Sequence, residues 1–147
     1  MKALVQRVHR ATVFVGDIAR ASIGPGLLVF VGIERGDTGE DAAYLARKLA
    51  KIRVFEDERG KMSLSVGEIG GETLLVSAFT LLGQVRRGLR PDFTQAEEPD
   101  RAARLFDHFS ELLAREGVTV RKGIFGSHMD IDFVNDGPVA IVIDTRE

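Results

Sequence analysis

The chain has 147 residues, 44% of them hydrophobic and 29% charged, with a formal net charge of −2 and no cysteine. That length fits one compact domain over residues 1–147, and the composition supports a buried core and argues against disorder. Without cysteine there are no disulfides, thiolate nucleophiles or Cys-based metal sites, and the acidic balance argues against broad, unspecific nucleic-acid binding.

Residues 4–15 have β-rich, partly alternating character, and Gly16-Asp17 turns them into a second strand, Ile18–Ile23. Gly24-Pro25-Gly26 marks another turn, and the nearly continuous apolar run 27–33 reads as a central strand. Thr38 opens a helix, with Asp41 three residues on as a capping-box variant. Ala42, Leu45, Leu49 and Ile52 keep helical spacing on one face. Residues 53–55 form a short strand that turns into 62–66, and residues 73–82 form the strongest strand of all. The loop 83–97 is long, and such loops are usually functional or mobile. Pro99 suits the first turn of a second helix, whose apolar stripe includes Leu105, Phe109 and Leu113 and which Gly117 closes. Three strands follow, at 118–121, around the alternating Met129, Ile131 and Phe133, and at 139–143.

Two helices among about eight strands predict an α+β fold. Its mainly antiparallel, barrel-like sheet carries both helices on one face. No apolar run approaches the roughly 18 residues of a membrane span, and charges interrupt the N-terminal apolar residues. Neither a membrane partner nor a signal peptide is expected, and a cytoplasmic location follows by default.

Two segments carry candidate chemistry. In Asn135-Asp136-Gly137-Pro138-Val139, an Asp-Gly pair would ordinarily form a tight hairpin turn, but Pro138 has no N–H to donate. By itself this segment reads as a loop breaker before the last strand. In Ser77-Ala78-Phe79-Thr80-Leu81, two hydroxyls end an apolar strand. Strand periodicity sends Ser77 and Phe79 one way and Ala78 and Thr80 the other. Considered alone, Thr80 would more often satisfy a buried carbonyl.

The usual engines of hydrolysis are missing, with no Gly-x-Ser-x-Gly elbow and no His-Glu-x-x-His metal motif. Neither a metal nor another cofactor is expected. His9 reads as solvent-facing and His108 as a surface or boundary residue, while His128 is the hardest of the three to dismiss. Directly after the hydroxyl segment, Arg86, Arg87 and Arg90 stand on a glycine-containing loop. They could grip phosphates bidentately, although a solvated surface loop fits equally well.

The N-terminal Met1-Lys2-Ala3-Leu4-Val5-Gln6-Arg7-Val8, the hydroxyl segment and the Gly-Pro segment together resemble the D-aminoacyl-tRNA deacylase family. Similar stretches lie between them: Ile23-Gly24-Pro25-Gly26-Leu27-Leu28-Val29, Phe55-Glu56-Asp57 and Arg90-Pro91-Asp92-Phe93. The similarity runs from Met1 to about Asp144. Two positions depart from it: Ala78 stands where the family usually has glutamine, and Ala140 where it usually has threonine.

The resemblance implies a homodimeric hydrolase that cleaves D-amino acids, and glycine, from mischarged tRNA. It places Thr80, Ser77 and Phe79 in catalysis, and Gly137, Pro138, Arg7 and Ala78 around the substrate. Gly137-Pro138 is expected to be cis and to reach the partner subunit's pocket, with Arg7 bracing it. Considered alone, Arg7 is an exposed edge charge. Family members leave two roles open for the threonine that matches Thr80: direct nucleophile, or helper to the terminal ribose 2′-hydroxyl. No base adjoins Thr80 in the chain, which favours the second. Backbone N–H groups around residues 78–80 would hold the oxyanion. Two other readings compete: a non-catalytic protein that holds an RNA 3′ end or nucleotide, and a structural oligomer.

Overall fold

In the computed structural model, which describes Met1–Glu147, strand β1 (Lys2–Val15) organises the fold. Its first half pairs antiparallel with β3 (Gly26–Gly32), and its second half with β2 (Ile18–Ile23). Along the other edge of β1 runs β8 (Asp130–Asp144), also antiparallel. Beyond β3, β6 (Glu72–Ser77) and then β7 (Thr119–Lys122) add in parallel. A separate small hairpin joins β4 (Phe55–Glu56) to β5 (Met62–Leu64). No helix is long and apolar enough to cross a membrane.

Helices α1 (Gly39–Lys51) and α2 (Pro99–Arg115) cover one face of this sheet. Leu45 and Leu49 of α1 and Phe106 and Phe109 of α2 share a buried cluster with Ala3, Val5, Val29 and Leu75. On the opposite face Val13, Leu28, Leu74 and Val76 pack under Met129, Ile131 and Phe133, so β8 curls back and nearly closes the sheet. The expected α+β architecture, with a barrel-like sheet and two helices on one face, is what forms. Around β1 the sheet is antiparallel, and its far side is parallel.

Local signals set the helix starts as expected. The Thr38 N–H donates to the Asp41 carboxylate at 2.9 Å, and Pro99 occupies the first helical turn of α2. Elsewhere tertiary contacts redraw the predicted boundaries. The strand predicted over 73–82 ends at Ser77, and residues Phe79–Leu82 form a 3-10 turn instead. Ala78 N–H still donates to the Val31 carbonyl, but the Leu81 and Gly83 N–H groups turn back to Ala78 and Thr80. The physical reason is packing: a Cβ on Gly32 would sit 2.9 Å from the Leu82 side chain, so Leu82 belongs over Gly32. The alternation read across residues 77–81 therefore fails beyond Ser77.

The strands predicted around Met129–Phe133 and over 139–143 are one strand, β8, which runs through Gly137-Pro138. The segment is thus a kink within a strand and not a loop breaker. Its pairing with β1 shifts register on both sides of Val8. The Asn135 amide donates to the carbonyls of Arg7 and Val139, at 2.8 and 3.1 Å, and bridges the stretch where proline has no N–H to offer. The short strand predicted at 53–55 moves to Phe55–Glu56, its partner shortens to Met62–Leu64, and that at 118–121 shifts to Thr119–Lys122.

Candidate active site

A cleft of about 750 Å³ opens beyond the C-terminal ends of β3 and β6. Its walls are mostly apolar, including Phe30, Ile33, Phe93, Phe125 and Met129. Ser77, Ala78, Phe79 and Thr80 all line it. The 3-10 turn is what gathers them, because after Ser77 the backbone bends across the mouth instead of continuing along the sheet. Phe79 and Thr80 open that turn, where N–H groups find no acceptor within it. Two such N–H groups beside a cleft form a suitable cradle for a developing oxyanion. The Phe79 side chain is 59% exposed and stands edge-on to Phe93, with ring centroids 5.2 Å apart.

Two titratable side chains share the cleft. His128, noted from the sequence, is highly exposed and lies 3.5 Å from Asp130. Glu97 was missed, since Glu97-Glu98-Pro99 reads only as a polar lead into a helix. Its carboxylate is buried and accepts the Glu98 N–H at 2.9 Å, while its other oxygen is 3.4 Å from Arg101. The Glu98 N–H foremost, then Arg101, hold it below the usual carboxylate range. One oxygen is thus hydrogen-bonded to the start of α2, and the other is buried with an ion-pair contact to Arg101 but no hydrogen-bond partner. His9 and His108 are exposed, outside the cleft, as read from the sequence.

Arg7, Gly137 and Pro138 do not line this cleft. Arg7 pairs with Leu27 on β3, and Ser77 pairs with Val31 on the same strand. Four residues of strand separate the two levels by about 13 Å along β3. The expectation of Arg7 as an exposed edge charge is corrected here, for Arg7 is only 5% exposed and β1 is flanked on both sides. Strand parity is the cause: Arg7 follows Ala3 and Val5 on the face that meets the helices. Its Nη1 donates to the Val54 carbonyl at 2.7 Å, and its Nε lies 3.1 Å from the Asp136 carboxylate. The guanidinium therefore fastens the residue preceding Gly137.

The Gly137-Pro138 peptide is cis, and Gly137 has φ +122. A Cβ there would stand 2.9 Å from Arg7 Nη2, so both conformation and space call for glycine. Gly137 and Pro138 are exposed.

Arg86, Arg87 and Arg90 are exposed on an arm rooted in the cleft wall. Gln84 and Asp92 exchange backbone hydrogen bonds at 2.9 Å across the base of the arm. Phe93, the aromatic partner of Phe79, ties that base to the hydroxyl turn. At the tip Leu89 is fully exposed.

Residues 4–144 match the family described as D-Tyr-tRNA(Tyr) deacylase. A D-aminoacyl-tRNA deacylase of Thermotoga petrophila is 51% identical over 147 residues, covering 100% of this chain and 99% of its own. One from Bacillus velezensis is 48% identical and fully covered on both sides. Among solved structures, one titled c-Myc DNA Unwinding Element Binding Protein superposes with a TM-score of 0.92 at 41% identity, covering 98% of each chain. Another, titled as a probable eukaryotic D-amino acid tRNA deacylase, reaches 0.84 at 20% identity over 97% of each, which speaks to the fold alone.

Proposed function

Because the chain belongs to the D-Tyr-tRNA(Tyr) deacylase family, we propose that it hydrolyses the ester joining a D-amino acid, or glycine, to the terminal ribose of tRNA. Its relatives at about half identity over full length are D-aminoacyl-tRNA deacylases, so the protein is a hydrolase of aminoacyl esters. The reaction adds water to the ester carbonyl, breaks the acyl C–O bond, and returns the proton to the ribose oxygen. Such an ester is already activated, and orientation supplies most of the acceleration. The N–H groups of Phe79 and Thr80 hold the oxyanion, while the Ser77 and Thr80 hydroxyls orient substrate and water. The ribose 2′-hydroxyl assists the proton transfer. At Ala78 the cleft has only a methyl group where relatives usually carry an amide.

One observation carries this reading. The hydroxyl turn lines an apolar cleft, whereas Gly137-Pro138 is held by Arg7 and Asp136 at another level of the sheet, exposed and outside that cleft. The two halves meet only if a second copy of the chain brings its Gly137-Pro138 to this cleft, and the working unit is a homodimer. The partner's backbone carbonyls then face the α-amino group. A D residue or glycine fits, whereas an L side chain is driven into the Gly-Pro backbone, so selectivity comes from a clash.

The test is release of amino acid from D-tyrosyl-tRNA and L-tyrosyl-tRNA in parallel. Loss of the D ester with the L ester spared is expected, and similar rates for both would refute the clash. The competing reading is a non-catalytic dimer that holds an RNA 3′ end or nucleotide. What favours it is Ala78, together with a 41% identical solved relative titled as a DNA-element-binding protein. Protection of both esters from spontaneous hydrolysis would support that alternative.

The arm supplies a further prediction. Arg86, Arg87 and Arg90 contact tRNA phosphates, so substituting any one with alanine should weaken binding similarly across tRNA species. The slope of log affinity against log salt should become shallower by about one for each phosphate no longer held. Unchanged binding in all three variants would leave the arm a solvated loop.

A further inference from the structure

A tRNA is far larger than a 750 Å³ cleft, and a chain of net charge −2 attracts a polyanion only through local patches. Two places gather three exposed cations within five residues: the arm, and Arg47, Lys48 and Lys51 on α1. The chain's ion pairs engage neither group.

The α1 cations border a groove of about 790 Å³ between the helix and residues 142–144 of β8. Helix stability accounts for them only in part. No position three or four residues from Arg47, Lys48 or Lys51 is acidic, so none gains an opposite-charge neighbour on the helix surface. Arg47 and Lys51 stand one turn apart and repel, and only Lys48 and Lys51 fall in the last turn, where the helix dipole favours a cation. Beneath Lys48 lies the Tyr44 ring, its centroid 5.4 Å from Nζ, which places an aromatic face beside the charges. On the β8 wall, Asp144 is already engaged by Lys2 at 3.6 Å and by the Arg146 N–H at 3.0 Å. Val142 is exposed there, and Glu147 adds one further acidic group.

We infer that this groove is a second contact surface for RNA, in which Arg47, Lys48 and Lys51 hold backbone phosphates of the tRNA and Tyr44 supplies a stacking face. The inference rests on the reading of the chain as a deacylase of aminoacyl-tRNA. It leaves the chemistry of the ester to the cleft and assigns α1 a share of the affinity. Cations on a helix with no acidic partner, next to an aromatic ring, match a polyanion that carries stackable bases better than they match an acidic protein segment.

The experiment compares wild type with the combined Arg47→Ala, Lys48→Ala, Lys51→Ala variant. Uncharged tRNA is titrated at several salt concentrations, and hydrolysis is followed on D-aminoacyl-tRNA and on D-aminoacyl-adenosine. The variant should bind tRNA about tenfold or more weakly, with the salt slope shallower by about two. KM for D-aminoacyl-tRNA should rise while kcat/KM for D-aminoacyl-adenosine stays as in wild type. Unchanged tRNA affinity and slope in a variant that melts like wild type would overturn the inference. So would loss of binding to polyglutamate with tRNA binding intact, which assigns the groove to an acidic protein. If wild type cleaves neither D ester, the deacylase reading fails, and the tRNA titration still decides the groove by itself.

Discussion

Replacing the 2′-hydroxyl of the substrate's terminal ribose with hydrogen is expected to slow ester hydrolysis by about 100-fold or more, a larger loss than Thr80→Ala produces. The expectation follows from what surrounds Thr80. Its hydroxyl is exposed at the start of a 3-10 turn, and neither acid-base side chain of the cleft, His128 or Glu97, hydrogen-bonds to it. His128 is turned to solvent beside Asp130, and the Glu98 N–H, then Arg101, hold Glu97 below the usual carboxylate range, which weakens it as a base. A threonine without a positioned base is a weak nucleophile. The Phe79 and Thr80 N–H groups belong to the backbone and survive Thr80→Ala. The variant should therefore keep measurable activity, slowed by about tenfold, or about 1.4 kcal/mol of barrier. No acyl-enzyme should accumulate in intact-mass spectra of wild type. A trapped adduct on Thr80, or an inactive Thr80→Ala alongside a well-cleaved 2′-deoxy substrate, would instead make Thr80 the nucleophile.

Arg7→Ala is expected to cost both stability and turnover. The guanidinium is nearly buried between the Val54 carbonyl and Asp136, and removing it leaves a buried acceptor and a half-buried carboxylate without their cation. Breaking one side of such a pair costs about 3 kcal/mol. For a domain of this size that lowers Tm by about 6–12 °C. Because Arg7 fastens the residue before Gly137, kcat/KM on the D ester should fall further than the stability loss explains at 25 °C. Arg7→Lys should restore little, since an ammonium cannot span both partners as the fork does. Asp136→Ala combined with Arg7→Ala should cost less than the sum of the two, which a double-mutant cycle measures. Additive losses, or an Arg7→Ala protein as stable as wild type, would show that the bridge contributes nothing.

What was legible from the residues was whatever short-range chemistry decides. Thr38 and Asp41 start α1 through hydrogen bonds within one turn, Pro99 starts α2, and Gly16-Asp17 turns β1 into Ile18–Ile23. The cleft was half legible, because Ser77 and Thr80 stood out as hydroxyls at the end of an apolar run. How they are presented was not. Leu81 and Leu82 have the side chains of a strand, and only the space over Gly32 makes that stretch bend. Glu97 gave no signal at all, for its place in the cleft depends on loop 83–97 folding back against β3, where the Glu97 N–H meets the Ile33 carbonyl.

Composition, periodicity and caps by themselves determined the α+β class, the two helices and most of the strands, because burial patterns and first-turn hydrogen bonds act over a few residues. Tertiary structure alone decided three things: that Arg7 points inward, that residues 130–144 run as one strand, and that the hydroxyl turn and Gly137-Pro138 lie apart. Each depends on the register of β1 against β3 and β8. Strand register is settled by pairing partners distant in sequence, where a one-residue step moves a side chain from one face of the sheet to the other.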